Sequence, residues 1–179
     1  MKKSWSGIRK QLEQDFLCEK LRGRVQYFLT IYHGAPDDYG RFAVRVDGKE
    51  VFHANPYNET YFYEEVEHLQ KQYGVSNREW TGKEFLFDKE NAEIEEQAEQ
   101  NVIEKGHIDS FSVTRAIDVF LNQSIEKSLE SENLLHRMFA ILDRRVGKRS
   151  LTKAAYTYES LPEWLKLFYE LRFAVEGIK

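Results

Sequence analysis

The 179-residue chain has one cysteine (Cys18), three prolines and no apolar run near the ~18 residues that a membrane-spanning helix needs. A lone cysteine excludes an internal disulfide and fits a reducing compartment. No Pro/Ser-rich linker, internal repeat or low-complexity stretch divides the sequence, so 1–179 reads as a single domain. The opening MKKSWSGIRKQLEQ has cations but no apolar segment behind them, unlike a secretory signal. The expectation is a cytoplasmic protein without a membrane partner. A cationic surplus is missing too: 26 Lys and Arg face 30 Asp and Glu, a net charge of −4. Bulk charge therefore does not draw the chain to nucleic acid, and only local patches can.

What is abundant is aromatic. Twelve Phe, ten Tyr and three Trp make up 14% of the residues, a composition that disordered chains lack. At this length about 70% of the unfolded surface can be buried, enough for one sizeable core.

Periodicity orders the chain. A helix is expected from an N-cap at Ser4, with Trp5, Ile8, Leu12 and Phe16 on one face and Cys18 as a small buried residue. Strands follow at 24–32 and 41–46, separated by the turn-forming HGAPDDYG of 33–40. Asp47-Gly48 is a strong hairpin signal, leading into a third strand to residue 53. Pairing Val46 with Lys49 places Arg45 opposite Glu50, Val44 opposite Val51 and Ala43 opposite Phe52. Helices are expected at 59–73, ended by Gly74, and at 88–105, capped by Asp88 and stopped by Gly106. An edge strand is expected at 84–87. The second of these helices holds seven acids against two lysines, a net −5, with a thin apolar stripe of Ile94, Ala98 and Val102. Further helices are expected at 113–122 under a Ser112 cap, and from about Ser131 to Gly147. A last one starts at a Ser160/Glu163 capping box and ends at Gly177. The fold class is α+β: an N-terminal helix and a three-stranded antiparallel meander packed with a helical C-terminal half. The sheet-rich part covers about 1–87, the acidic helix 88–106 and the helical part 107–179.

Among charged runs, DRRVGKR at 143–149 is the most distinctive. Arg144, Arg145, Lys148 and Arg149 surround an expected helix C-terminus, where cations offset the dipole by about 0.3–1 kcal/mol each. The same four residues are the candidate contact for phosphate or an acidic partner, because guanidinium forks match phosphate oxygens. The N-terminal segment adds seven cations (Lys2, Lys3, Arg9, Lys10, Lys20, Arg22, Arg24) against three acids, a net +4. If the two lie together, the molecule gains a basic face. The meander puts Arg24, Phe28 and Tyr32 on one face, a pattern able to stack single-stranded bases, but the ribonucleoprotein consensus is absent. Glu65/His68 and Glu104/His107 have the Glu-x-x-His spacing of di-iron bundles, yet Gly106 interrupts the second. Asp37 and Asp38 are adjacent acids in a turn. No metalloprotease, Cys-x-x-Cys, phosphate-loop or nucleophile-elbow motif occurs. No catalytic residue, metal site or cofactor is expected.

Five stretches together carry a resemblance: WSGIRKQL at 5–12, LRGRV at 21–25, VDGKEV at 46–51, RMFAILDRRVGKR at 137–149 and PEWLKLFYELR at 162–172. The chain resembles an uncharacterised family of small bacterial proteins, mostly from Gram-positive species, along nearly its full length. The resemblance implies a bacterial cytosolic setting and no particular activity, catalytic residue or cofactor.

The functional expectation is a non-enzymatic module that binds another protein, with an immunity, antitoxin-like or regulatory role among those compatible with it. Tyr, Trp and Arg abundance supports that expectation, since these residues dominate interface hot spots. The alternative is a nucleic-acid or phosphate binder using the 144–149 run. An enzyme with a carboxylate–histidine site ranks last.

Overall fold

A computed structural model describes residues 4–31 and 40–178. The turn at 33–40, with His33, Asp37 and Asp38, lies outside them apart from Gly40, as do Lys2, Lys3 and Tyr32. Helix α1 (Trp5–Lys10) starts where the Ser4 hydroxyl accepts the Gly7 N–H at 3.4 Å. It runs on through a π-helical stretch, Gln11–Phe16, that buries Leu12. Cys18 lies just past this helix rather than within it, buried before the 3-10 turn Glu19–Leu21.

Strands β1 (Val25–Ile31), β2 (Gly40–Val46) and β3 (Lys49–Ala54) form the expected antiparallel meander in the order β1-β2-β3. At the tight turn, Asp47 and Gly48 take φ of 50° and 80°, the left-handed pair that matches the strand twist. Arg45 opposes Glu50 as expected, but the register slips beyond it: Val44 pairs with Phe52 and Ala43 with His53. Val51 is the extra residue of a β-bulge. The physical reason lies in the core. Without the bulge His53 would face inward opposite Phe42; with it, Phe52 and Ala54 do, at 6% and 0% exposure. The inner face is completed by Val25, Tyr27, Phe42 and Val44. On the outer face, Phe28 lies between the guanidiniums of Arg9 and Arg45, at 4.9 and 4.5 Å. That ring is therefore already engaged by two cations, and Tyr32 of the same expected face lies outside the described residues.

Helices α2 (Glu59–Tyr73) and α3 (Lys89–Glu104) pack on each other around a separate small cluster of Leu69, Ile94 and Ala98. Gly74 ends α2 at φ 69°, and Asp88 caps α3 through the Glu90 and Asn91 N–H groups. The stretch at 84–87 is not a strand. A single bridge joins Trp80 to Phe85, and no strand of the meander lies beside it to continue a ladder.

The C-terminal half is more broken than its periodicity predicts. Helix α4 (Ser110–Asn122) is capped by Asp109, three residues before the expected cap Ser112, whose hydroxyl donates to the Asp109 carboxylate. A short α5 (Ile125–Leu129) follows, then α6 (Leu134–Leu142), capped by Asn133 and ended at Asp143. Residues 148–155 form a further helix, α7 (Lys148–Ala155). Helix α8 (Glu163–Glu176) begins after Pro162 with no side-chain cap, because the Ser160 hydroxyl donates backward to the Thr157 carbonyl. Leu135, Met138, Leu142, Leu165, Phe168 and Phe173 join these helices to the inner face of the sheet in one core. The fold is α+β, with eight α-helices and one three-stranded sheet among the described residues. None of these helices is long and apolar enough to cross a membrane.

Candidate functional site

The basic run is divided by the structure. Asp143 ends α6 with 0% of its side chain exposed, and both its oxygens are held by Arg145 at 2.7–3.1 Å. The Arg145 guanidinium also stacks 4.4 Å from the Phe16 ring. Arg145 thus leaves the candidate anion set: its fork is filled from within. Lys148 and Arg149 lie in the first turn of α7, not at a helix C-terminus, so they add to a positive dipole end instead of offsetting a negative one. Helical periodicity could not show this, since Leu134 to Val146 keeps one apolar face while Asp143 turns the backbone. Arg144, Lys148 and Arg149 remain exposed and have no ion pair among the described residues.

The N-terminal segment does pack beside this run. The Arg144 N–H donates to the Phe16 carbonyl at 2.7 Å and the Cys18 N–H to the Leu142 carbonyl at 2.9 Å. Arg22 and Lys10 are exposed in that segment, whereas Lys20 pairs with Glu176 at 3.0 Å. Glu176 also accepts the Cys18 thiol at 3.3 Å. Burial pushes that thiol up from its ordinary value, so it stays protonated and unreactive.

The acidic helix does not engage the basic run. Its Glu95 and Glu99 pair with Arg78 and Arg115, at 3.0 and 2.8 Å, and Glu93 with Lys89 at 3.3 Å. Glu90, Glu96 and Glu104 have no ion pair among the described residues. His107 stacks on Tyr61, with centroids 4.0 Å apart, and Glu65 is held by Asn101 and Lys105, both at 2.7 Å. The two Glu-x-x-His pairs therefore do not converge. Among the described residues no group of three or more His, Cys, Asp or Glu could hold a metal ion.

Two features escaped the sequence reading. The first is a compact turn between α2 and α3, where the Leu86 N–H donates to the Glu79 carbonyl at 2.9 Å and Thr81 closes on Glu84. It presents Trp80, Phe85, Leu86 and Phe87 at 54%, 62%, 45% and 80% exposure. EFLF reads as a strand from its aromatic density, and only a missing ladder partner turns it into a surface. The second is a cavity of about 330 Å³ whose wall includes Arg137 and Tyr169. Arg137 lies on α6 and Tyr169 on α8, and the sequence singles out neither as a candidate site residue.

These features define an α+β protein with a helical body, an aromatic turn and no assembled reactive centre among the described residues. The profile of the SF0329 protein family matches residues 4–173, and the chain belongs to that family. No curated protein and no solved structure matches it.

Proposed function

We propose that this is a bacterial, cytosolic protein-binding module whose docking element is the turn between α2 and α3. One observation carries the reading: four large apolar side chains, Trp80, Phe85, Leu86 and Phe87, stand exposed within eight residues of bridged, hydrogen-bonded chain. Such clustered apolar surface is disfavoured in water and marks interaction sites. Trp and Phe held on a short turn lose little conformational freedom on docking, which suits them as anchors. Glu90, in the first turn of α3 and without an ion pair among the described residues, borders the turn, so the fitting partner is a protein with an apolar cleft and a cation at its rim.

The test is recovery of the chain from its native host beside a Trp80→Ser/Phe85→Ser/Phe87→Ser variant of equal thermal stability. A stoichiometric partner held by the wild type and released by the variant supports the reading. A chain that elutes alone at every concentration, a partner held equally by both, or association only with a second copy overturns it.

A second reading, binding of nucleic acid or phosphate, is supported by Arg144, Lys148 and Arg149, three exposed cations that no described carboxylate engages. It requires affinity for an oligonucleotide that falls steeply with salt and disappears when the three are changed to Gln. No binding at low salt eliminates it.

A further inference from the structure

We propose that the cavity between α5, α6, α7 and α8 is a binding site for a small organic carboxylate with an apolar body. Its volume, about 330 Å³, falls at the lower end of small-molecule sites. Leu129, Ala154 and the Tyr169 ring supply apolar lining. The polar groups there are poorly satisfied. Tyr169 is 1% exposed, and its only hydrogen bond among the described residues is one it accepts, from Arg137 Nε at a long 3.4 Å. Its own O–H has no acceptor among the described residues. The remaining Arg137 N–H groups have no partner among the described residues either, and Arg137 enters no ion pair there.

A buried hydroxyl proton and a half-buried guanidinium, side by side in a cleft, are two donors waiting for one acceptor group. A carboxylate answers both: one oxygen takes the phenol O–H and the other the guanidinium N–H. Alternatives fit less well. The Lys153 ammonium at the wall is held by Glu130 at 3.3 Å, which leaves Arg137 as the uncommitted cation. Glu126 lines the same cavity without an ion pair among the described residues, so a single negative charge is tolerated better than a multiply charged anion such as phosphate. A neutral ligand leaves the guanidinium without a counter-charge. The inference concerns a different surface from the aromatic turn and stands or falls apart from it.

The experiment titrates isotope-labelled protein with 4-methylpentanoate, L-leucine and leucinamide to about 20 mM, following amide shifts. The expected result is saturable change at 126–130, 137, 150–157 and 169 with one or both carboxylates, and none with leucinamide. L-Leucine alone identifies an amino-acid ligand, and 4-methylpentanoate alone identifies a simple acid. Arg137→Met and Tyr169→Phe should each weaken binding by about tenfold while the rest of the spectrum is unchanged. No saturable change at these residues with either carboxylate, equal binding of leucinamide, or undiminished affinity in both folded variants overturns the proposal.

Discussion

Asp143 has no solvent-exposed side-chain surface, while its partner Arg145 keeps 36% of its own. That asymmetry sets what each substitution costs. Arg145→Met retains stacking on Phe16 but strands a buried carboxylate, and a loss of about 2–3 kcal/mol is expected. Asp143→Asn leaves a guanidinium with a path to water and a side-chain oxygen still able to accept the Arg145 N–H, so about 1 kcal/mol is expected. Denaturant melts of the two variants check the order; an equal or reversed loss contradicts the account. Gly40 is constrained in a different way. A Cβ there would meet the Thr30 carbonyl oxygen at 2.7 Å, a backbone atom with no rotamer to yield. Gly40→Ala should cost at least about 1 kcal/mol, whereas Gly147→Ala, which meets nothing within 4 Å, should change stability by under about 0.5 kcal/mol.

At the scale of elements, the α2–α3 pair depends on little of its own. Its cluster holds three buried apolar residues, Leu69, Ile94 and Ala98, and only Ile103 near the end of α3 reaches the main core, which draws on every other major element. A hydrogen bond of 2.7 Å between the buried amides of Gln70 and Asn91 joins the two helices, and Asn91 also donates to Ser76 and Asp88. Amides of 59–104 should therefore exchange at a lower opening free energy than those of α6 and α8. Asn91→Leu, which leaves the Gln70 amide unsatisfied, should lower the first group by about 1–3 kcal/mol and hardly move the second. Uniform exchange across both groups would refute this division. The bulge at Val51 works at the same scale. Because Val51 is the inserted residue, deleting it places Phe52 directly after Glu50 and still opposite Val44, so cooperative unfolding should survive, as read by near-UV circular dichroism, and its loss would contradict the register.

Across the whole molecule, acid should weaken the fold in two windows. Burial holds His136 below its ordinary value of 6.5, with Glu99 opposing the shift and the Ser131 hydroxyl 3.0 Å from Nδ1. The unfolded chain then binds the extra proton first, so stability is complete above 6.5 and declines as pH falls below it. Glu65, Glu50 and Glu176 are held below 4.5 by Lys105, Arg41 and Lys20, so a second decline begins under that value. Melting temperatures of wild type and His136→Gln, taken from about pH 7.5 to 3.5, should diverge only in the upper window. A variant that keeps the upper decline removes His136 as its cause.

Much of the architecture was legible because it is encoded locally. Ser4 and Asp88 act through a side-chain oxygen on N–H groups two or three residues along, and Asp47-Gly48, Gly74 and Gly177 through their own backbones, so neighbours in sequence fix the result. The boundaries that could not be read were set by which of several competing side chains the packed chain selects. Asp109 displaced Ser112 as a cap, and Asp143 turned inward because Arg145 and Phe16 were there to hold the pair. The candidate surfaces divide in the same way. The cations at 144–149 were visible as letters, but burial beside Asp143 took Arg145 out of the set. The aromatic turn and the Arg137–Tyr169 cavity became visible only when helices distant in sequence packed. The sequence by itself determined the α+β class, the meander, the helix stops and the family, since periodicity and turn chemistry act over a few residues. Only the tertiary structure decided the β3 register, the division of the basic run and the exposure of the aromatic turn, because burial is a property of the whole packed chain.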